Sequence, residues 1–306
     1  MGQRQDQSRS DGSCRMIRVG FVGLGAMGLP MASNLLKAGF PVRAYDRRPE
    51  PVETLVAAGG TAAHSAADAA RDADVLVLMV INASQAEDVL FVGGALDALP
   101  PDATVVLMAT CPPQAVARIA ERVEATGRAF LDAPVSGGVV GAAAGTLSIM
   151  AAAPLATFER LRPLLEAMGG KLIHVGETAG QGAMAKTINQ LLCGVHLAAA
   201  AEAISLAEKA GVAPAVALDI VSASAASSWM LRDRGPRMLE QDPIVTSAVD
   251  IFVKDLGIVL AAGSDARAAL PLAAAAHQMF LAVSGQGKGA QDDSQVIEAY
   301  RRLRGA

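Results

Sequence analysis

The stretch MIRVGFVGLGAMGLPMASNLLKAG, residues 16–39, decides the fold because it joins a strand, a glycine-rich turn and a helix. An apolar run ends at Val22, and the pattern GLGAMG of residues 23–28 follows at once. A helical pattern then runs to a terminating glycine, Gly39. Three glycines at this spacing, between a strand and a helix, are typical of a turn that holds a dinucleotide pyrophosphate at a helix N-terminus.

Each of the three glycines has its own physical task in such a turn. Gly23 permits the tight turn, Gly25 lets the backbone approach the pyrophosphate, and Gly28 allows close packing of helix against strand. The N–H groups and the dipole of the helix then face the phosphates. We therefore predict that the whole loop binds the cofactor: Gly23, Leu24, Gly25, Ala26, Met27 and Gly28.

The residues after the second apolar run bear on the choice of cofactor. Asp46 ends the run PVRAYD, where a carboxylate can accept hydrogen bonds from the adenosine ribose hydroxyls. A carboxylate repels a 2′-phosphate, which favours NAD. Arg47 and Arg48 follow directly, and their guanidinium groups could instead clamp that phosphate and favour NADP. We predict Asp46 and Arg47 as cofactor contacts, with NAD as the cofactor and NADP still possible.

Apolar runs alternate with helical patterns over the first part of the chain. Strands are predicted at residues 75–81, 103–108, 146–152 and 171–175, and such alternation implies a parallel, doubly wound sheet. From about residue 180 onward nearly every segment is helical, with helices predicted at 181–210, 214–222, 249–262, 272–284 and 294–304. The chain is therefore predicted to divide into a leader (1–15), a nucleotide-binding α/β domain (16–178) and an all-α domain (179–306).

Composition narrows the range of partners. The chain has 306 residues, 52% of them hydrophobic, and a net charge of −4, so it has no broad attraction for nucleic acid or anionic lipid. We predict no nucleic-acid and no membrane partner, and a small soluble ligand instead. The apolar stretch at 191–211 is interrupted by His196 and three charged residues, which favours a buried helix over a membrane span.

Cysteine usage and the first residues indicate the compartment. Cys14, Cys111 and Cys193 are widely separated and odd in number, which fits a reducing compartment, and we predict a cytoplasmic protein. The leader, residues 1–15, is polar and has no apolar core, so it is predicted to be disordered rather than a secretion signal. Cys111 is interpreted as a small buried hydrophobe, because no histidine lies near it in sequence to activate it.

Three further segments carry polar groups in apolar surroundings. DAPVSGG (132–138) presents a hydroxyl and two glycines, a form suited to a carboxylate. GQGAMAKTINQ (180–190) begins a long helix, on which the side chains of Lys186, Asn189 and Gln190 lie on one face. DIFVKDL (250–256) places a lysine next to an aspartate in an apolar helix, a pair that could equally be an ordinary salt bridge.

These segments occur in order and at fitting distances, and together the chain resembles the β-hydroxyacid dehydrogenase family from Met16 onward. The family includes 3-hydroxyisobutyrate dehydrogenase and tartronate semialdehyde reductase. The resemblance implies a Rossmann-type domain followed by an all-α domain that supplies much of the subunit interface, with the active site in the cleft between them. It thus implies an NAD(P)-dependent hydroxyacid dehydrogenase, acting on a small hydroxy acid as a homodimer or homotetramer.

The resemblance also implies roles for individual residues. Lys186 is the catalytic lysine, since a lysine desolvated in a cleft can take the hydroxyl proton as hydride leaves and return it in the reverse reaction. The predicted substrate contacts are Ser136, Gly137, Gly138, Asn189, Gln190, Lys254 and Asp255. The predicted contacts on the nicotinamide side are Val80, Ile81, Thr110 and Lys254.

One position departs from the family pattern. The family commonly has asparagine four residues after the catalytic lysine, where this chain has Gln190. Segments 189–211, 227–234, 247–257 and 285–297 resemble the branch that oxidises L-threonate at C2 to 2-oxo-tetronate with NAD. Such a substrate carries extra hydroxyls, which Gln190 could bind together with His196, Ser228 or Trp229. For His196 and Trp229, packing in the helical core is the favoured interpretation.

Other readings stay open at this point. The same residues could serve a tartronate semialdehyde reductase or a 3-hydroxyisobutyrate dehydrogenase, while imine reduction is disfavoured by Lys186. A remoter alternative is a non-catalytic dinucleotide-binding scaffold. The four histidines show no paired spacing with acids or cysteines, so no metal site is predicted.

Overall fold

The computed structural model describes residues 16–305, and the predicted leader and Cys14 lie outside the described residues. Within this described part, nine strands form one sheet. They are β1 (Val19–Val22), β2 (Val42–Tyr45), β3 (Thr61–Ala62), β4 (Val75–Leu78), β5 (Thr104–Leu107), β6 (Ala129–Asp132), β7 (Val135–Ser136), β8 (Ser148–Ala152) and β9 (Lys171–Gly176).

The first six strands build a parallel sheet in the order β3-β2-β1-β4-β5-β6. This is the strand order of a dinucleotide-binding Rossmann fold, and it reverses direction between β1 and β4. Strands β1, β4 and β5 are buried along their whole length, as expected for a sheet covered on both faces. The predicted α/β fold is confirmed.

Two details of the predicted sheet are wrong. Strand β8 runs antiparallel to β6 and β7, so the sheet is mostly rather than wholly parallel. The strand predicted at 75–81 ends at Leu78, and Val80 and Ile81 lie in the loop beyond it. An apolar run shows that a segment is sheltered, but it specifies neither strand direction nor the residue at which pairing stops.

Helices follow the strands and then replace them. Those of the sheet part are α1 (Gly28–Lys37), α2 (Pro49–Ala57), α3 (Ala66–Ala70), α4 (Ala83–Glu87), α5 (Ala95–Ala98), α6 (Pro113–Glu124), α7 (Gly138–Ala144) and α8 (Leu155–Glu166). Those of the helical part are α9 (Gln181–Lys209), α10 (Pro214–Ser222), α11 (Trp229–Met238), α12 (Val249–Asp265), α13 (Pro271–Val283) and α14 (Ile297–Leu303).

Most of the helices predicted after residue 180 agree with the structure to within a few residues. Helix α11 was not predicted, because Gly235 and Pro236 interrupt its pattern. The helix predicted at 294–304 begins as a 3₁₀ turn, Asp293–Val296, before α14. Within residues 16–305, π-helical turns occur at Asp88–Val92 and Ser284–Lys288.

The core has three parts, two against the sheet and one among the helices. Along β4, Val75 and Val77 belong to the cluster on one face, while Leu76 and Leu78 belong to the cluster on the other. This alternation follows the two-residue period of a strand. Helices therefore cover both faces, and the third cluster is built around α9, α11, α12 and α13.

Helix α9 is the one helix of residues 16–305 that is long and apolar enough, by length and composition, to cross a membrane. Half of its most apolar window is buried inside the protein. Leu197, Ala201 and Ile204 lie in the helical core. This packing accounts for its apolar composition as a core helix.

Helices α1 and α7 are joined by a buried hydrogen bond. The side-chain amide of Asn34 donates to the carbonyl oxygen of Ala142 over 2.8 Å. Helix α1 begins in the glycine loop, and α7 begins at Gly138 in the DAPVSGG segment. The bond therefore connects α1, which follows the predicted cofactor-binding loop, to α7, which follows the predicted substrate-binding segment.

Candidate active site

A cleft of about 720 Å³ opens between the sheet and the helical part. Its sheet side lies at the carboxyl ends of β1, β4 and β5, where ligands bind in open α/β sheets. It brings together most of the predicted site residues: Gly25, Ala26, Met27, Gly28, Val80, Ile81, Thr110, Ser136, Gly137, Gly138, Lys186, Gln190, Lys254 and Asp255. Outside this lining lie Gly23, Leu24, Asp46, Arg47 and Asn189.

The three glycines of the loop have different surroundings. A Cβ on Gly28 would overlap the carbonyl oxygen of Gly23, so only glycine fits there. Gly23 has φ +97°, and a Cβ on it would overlap the carbonyl oxygen of Met79. Gly25 has open space within 4 Å of its Cβ position and lines the cleft. The loop thus leaves room for a ligand at Gly25, which fits a dinucleotide pyrophosphate.

Asp46 holds the glycine loop from the end of β2. Its Oδ2 accepts the backbone N–H of Leu24 over 2.7 Å, and its Oδ1 accepts that of Arg48 over 2.9 Å. Burial alone would raise the pKa of Asp46, but these hydrogen bonds and the Arg48 guanidinium lower it below its ordinary value. Asp46 is therefore ionised at neutral pH, and Arg47 beside it is exposed.

The DAPVSGG segment turns sharply where it enters the cleft. Ser136 ends β7, paired with Ser148 of β8. Gly137 and Gly138 follow with φ of +128° and +62°, conformations that residues with side chains rarely adopt. The turn leaves a hydroxyl and the first backbone N–H groups of α7 beside the cleft, donors suited to a carboxylate.

Asp132, the first residue of that segment, holds the start of α9. Its side chain is buried, and Oδ2 accepts the N–H groups of Gly180 and Ala183 over 2.9 Å each. Burial raises the pKa of Asp132 to about 6, while the N–H groups at the helix start act to lower it. A Cβ on Gly182 would lie 2.8 Å from the carbonyl oxygen of Asp132. The beginning of α9 is thus fixed against the end of β6.

Lys186, one turn further along α9, is buried at the bottom of the cleft with 7% of its surface exposed. Burial lowers the pKa of Lys186, and the negative charge of Asp255 partly opposes this shift. Its Nζ donates to Oδ1 of Asn189 over 3.4 Å. Asn189 therefore contacts the lysine rather than lining the cleft.

A chain of hydrogen bonds links α9 to Thr110, in the loop that follows β5. Nε2 of Gln190 donates to Oδ2 of Asp255 over 2.6 Å, and Nζ of Lys254 donates to Oδ1 of the same carboxylate over 2.6 Å. Nζ of Lys254 also donates to the carbonyl oxygen of Thr110, over 3.1 Å. An ionised carboxylate only accepts, so the amide nitrogen of Gln190 faces it and Oε1 is left to accept a ligand hydroxyl.

The helical side of the cleft also contains residues that sequence analysis did not assign. They are Cys193, Met230, Arg234, Val245, Thr246, Ser247, Ala248, Ile251 and Phe252. Trp229 lines the cleft. His196 is exposed outside the lining, and Ser228 caps α11 by accepting the N–H of Leu231, so neither of these two predicted contacts reaches the cleft.

Two family patterns match consecutive parts of the chain. The NAD binding domain of 6-phosphogluconate dehydrogenase matches residues 18–176. The NAD-binding region of NADP-dependent 3-hydroxyisobutyrate dehydrogenase matches residues 180–300. The chain belongs to the β-hydroxyacid dehydrogenase family. It is an NAD(P)-dependent oxidoreductase acting on the CH–OH group of hydroxy acids, which confirms the predicted enzyme class and cofactor.

Relatives of this dehydrogenase extend over nearly its whole length. It is 44% identical to L-threonate dehydrogenase of Cupriavidus necator, covering 92% of this chain and 95% of the relative. It is 36% identical to 2-(hydroxymethyl)glutarate dehydrogenase of Eubacterium barkeri, covering 95% and 97%. A solved structure of 3-hydroxyisobutyrate dehydrogenase from Salmonella typhimurium is 42% identical, with a TM-score of 0.88 over 92% of this chain and 99% of that one.

The cleft of this dehydrogenase suits hydride transfer. When bound, the nicotinamide cofactor supplies the hydride acceptor or donor. Lys186 lies in the same cleft, and its burial lowers its pKa, a property that suits a group for proton transfer. Among residues 16–305, no group of three or more His, Cys, Asp and Glu residues is arranged to hold a metal ion.

Cys111 is buried, and burial raises the pKa of its thiol to about 12, so it packs as a small hydrophobe.

Proposed function

We propose that this dehydrogenase oxidises L-threonate at C2 to 2-oxo-tetronate with NAD, and that Lys186 carries the proton. Neutral Lys186 would take the proton of the C2 hydroxyl, and a bound nicotinamide would supply the acceptor for the hydride that leaves C2, so that a carbonyl would form at C2. The observation that carries the proposal is the burial of Lys186, with a lowered pKa, in a cleft that also contains Gln190. The names of several relatives at 40–44% identity support the substrate.

The remaining residues are assigned around this proton transfer. Ser136, Gly137 and Gly138 bind the substrate carboxylate through the hydroxyl and backbone N–H groups. Asn189 orients Lys186 through its 3.4 Å contact with Nζ. Lys254, held by Asp255 and the carbonyl of Thr110, lies at the edge shared by substrate and cofactor.

Gln190 is assigned to the substrate hydroxyls beyond C2. Its amide nitrogen is engaged by Asp255, which leaves Oε1 as an acceptor. A buried group that needs a hydroxyl partner penalises substrates lacking one. This disfavours 3-hydroxyisobutyrate, whose branch carries a methyl group.

Two alternatives share the same machinery. Tartronate semialdehyde reductase and 3-hydroxyisobutyrate dehydrogenase remain the second candidates, and the solved Salmonella typhimurium relative carries the latter name. A remoter alternative is a non-catalytic scaffold. The burial of Lys186 disfavours it, because burying a cation costs free energy and a scaffold has no use for such a group.

We assign the cofactor preference, the domains and the assembly as follows. The ionised Asp46 beside the glycine loop favours NAD over NADP. Residues 16–178 form the NAD(P)-binding domain, and residues 179–306 the substrate and oligomerisation domain. The exposed fractions of Ile188, Leu192 and Leu206 on α9 are 61%, 49% and 68%, which supports a homodimer or homotetramer built on this helix. The enzyme acts in the cytoplasm.

The test is the rate of nicotinamide reduction by the purified protein. L-threonate, D-glycerate and 3-hydroxyisobutyrate are each supplied with NAD and with NADP, beside the variant Lys186→Ala. Turnover confined to L-threonate and NAD, and abolished in the variant, is the expected result. Turnover of D-glycerate or 3-hydroxyisobutyrate instead would keep the chemistry and replace the substrate, and cofactor binding without any turnover would support the scaffold.

A further inference from the structure

The cleft extends past Lys186 to a polar wall on the helical side. We call this the distal wall and define it as Arg234 of α11 with Thr246 and Ser247, which precede α12. All three residues line the same cleft as Lys186. Neither the hydride transfer nor the binding of the carboxylate uses them.

Arg234 is held rigidly in the wall. Only 7% of its surface is exposed, and its Nε donates to Oδ1 of Asp293 over 2.8 Å, while Nη2 donates to Oδ2 of the same carboxylate over 3.3 Å. Its Nη1 contacts Asp233. A planar guanidinium bound in this two-pronged way has its remaining N–H groups aimed in fixed directions.

The segment containing Thr246 and Ser247 is fixed by the neighbouring aspartates. Oδ2 of Asp292 accepts the N–H of Thr246 over 3.0 Å and Nη1 of Arg237 over 2.7 Å. The N–H of Asp293 donates to the carbonyl oxygen of Ser247 over 2.7 Å. These bonds fix the backbone of the wall. Within residues 16–305, the Ser247 hydroxyl makes no hydrogen bond to another protein group, so it is free to bind a ligand.

The charge of the wall selects the kind of ligand. Two arginines, Arg234 and Arg237, face three carboxylates, Asp233, Asp292 and Asp293, so the cluster has no surplus positive charge. A second carboxylate on the substrate would gain no net attraction here. A neutral hydroxyl, which donates and accepts, matches a wall that offers both kinds of group.

The wall lies along the same face of α9 as the lysine. Lys186, Gln190 and Cys193 follow at helical spacing and all line the cleft. Burial raises the pKa of Cys193, and the charges of Lys186 and Arg234 both act to lower it. Cys193 is thus within electrostatic range of both cations, and it lies about 10 Å along α9 from Lys186.

We propose that the distal wall, together with Gln190, forms the subsite for the C3 and C4 hydroxyls of the substrate, with Ser247 and Arg234 as the direct contacts that the wall contributes. The proposal rests on the proposed function and deepens it. It predicts a substrate whose far end is neutral and hydroxylated, in contrast to a glutarate, whose far end is a carboxylate. Arg234 and Ser247 are then specificity-determining residues for the reaction.

The test pairs variants with substrate analogues. kcat/KM is measured for L-threonate, its 3-deoxy and 4-deoxy analogues and 2-(hydroxymethyl)glutarate, with the full-length protein and NAD. Ser247→Ala is expected to lower kcat/KM for L-threonate about fivefold, as for one lost neutral hydrogen bond, and to leave it unchanged for the analogue that lacks the contacted hydroxyl. Arg234→Lys is expected to give a larger loss with the same dependence on the analogue.

Ser264→Ala is the matched control, because Ser264 is an exposed residue of α12 outside the cleft. Ser247→Ala removes only a hydroxyl, so it keeps the test valid if Arg234→Lys fails to fold. An equal loss with L-threonate and with both deoxy analogues would overturn the subsite while leaving the proposed function intact. Preferred turnover of 2-(hydroxymethyl)glutarate would overturn it as well. No turnover of any hydroxy acid by the wild-type protein would overturn the proposed function and the subsite with it.

Discussion

The two sides of the cleft present different chemical groups to a ligand. The sheet side presents exposed backbone at glycines such as Gly25, Gly137 and Gly138, among apolar and hydroxyl side chains. The helical side presents charged and polar side chains, of which Lys186 and Arg234 are held almost completely buried. Backbone N–H groups suit the phosphates of a dinucleotide, which is the same cofactor for every substrate. Proton transfer and substrate choice instead need side chains whose pKa and hydrogen bonds are set by their surroundings.

The largest loss of turnover is expected from a substitution on the helical side of the cleft. Lys186→Met removes the proton carrier and keeps the length of the side chain, so kcat is expected to fall by about 10³-fold. The sheet side is unchanged, so NADH binding, measured by fluorescence titration, should stay at the wild-type value. A kcat within tenfold of wild type would show that the proton leaves by another route.

Substitutions at two glycines of the sheet side are expected to distinguish an effect on cofactor binding from an effect on folding. In Gly28→Ala the new Cβ overlaps the carbonyl oxygen of Gly23, so we expect a lower thermal midpoint and loss of cofactor binding. In Gly25→Ala the new Cβ enters open space, so the thermal midpoint should hold while KM for NAD rises about tenfold. Equal thermal midpoints for the two variants would contradict this division.

The pH dependence of oxidation tests how the helical side tunes its lysine. In the proposed reaction, oxidation needs neutral Lys186, so kcat/KM is expected to fall as the pH drops below the pKa of this lysine. Asp255 raises that pKa through its charge, and Asp255→Asn should therefore move the acid limb of the pH profile to lower pH. A limb that stays in place or moves to higher pH would assign the titration to another group. The amide keeps one acceptor oxygen for Gln190 or Lys254, which limits the structural change.

The smallest effect is expected at Asp132, where the two sides meet, and it concerns the change of thermal stability with pH. Its pKa in the folded protein, about 6, lies above its ordinary value of 3.8. Between these values the folded protein keeps a proton that the unfolded chain releases, so this group makes stability fall as the pH rises through the window. Asp132→Asn cannot ionise, and its thermal midpoint should decline less between pH 4 and pH 7, by a few degrees.

The control for this pH slope is Asp219→Asn, which changes an exposed carboxylate on α10. It should keep the wild-type slope. Asp132→Ala, which also removes the hydrogen-bond acceptors for Gly180 and Ala183, should lower stability across the whole range. If Asp132→Asn and wild type had parallel profiles, Asp132 would have the same pKa in the folded and unfolded states.

The sequence predicted the fold well because its signals are local. The glycine loop, the alternating strands and the start of α9 each lie within a short segment whose spacing has one physical meaning. The reversal of β8 was not predictable in this way, since an apolar run is equally compatible with either strand direction. The end of β4 at Leu78 depends on where pairing with β1 and β5 stops, which is set by neighbours distant in sequence.

The candidate site was only partly predictable for the same reason. Helical spacing grouped Lys186 with Gln190, and both line the cleft. Arg234 and Ser247 belong to separate segments and meet only through their buried aspartates, so no spacing rule joins them. Asp132 carried a readable signal, a carboxylate at a strand end, but its partners in α9 lie 48 and 51 residues further along the chain.

The buried bond from Asn34 to Ala142 has a consequence for anyone who recombines members of this family to alter their selectivity. Helix α1 and helix α7 form one exchangeable block although more than 100 residues separate them in the chain. Every parent has the backbone carbonyl at position 142, so a crossover placed between them breaks the bond when α1 comes from a parent that lacks the asparagine, and the buried carbonyl then loses its donor. Chimeras that inherit both helices from one parent should therefore be recovered as active enzymes more often than those that split them.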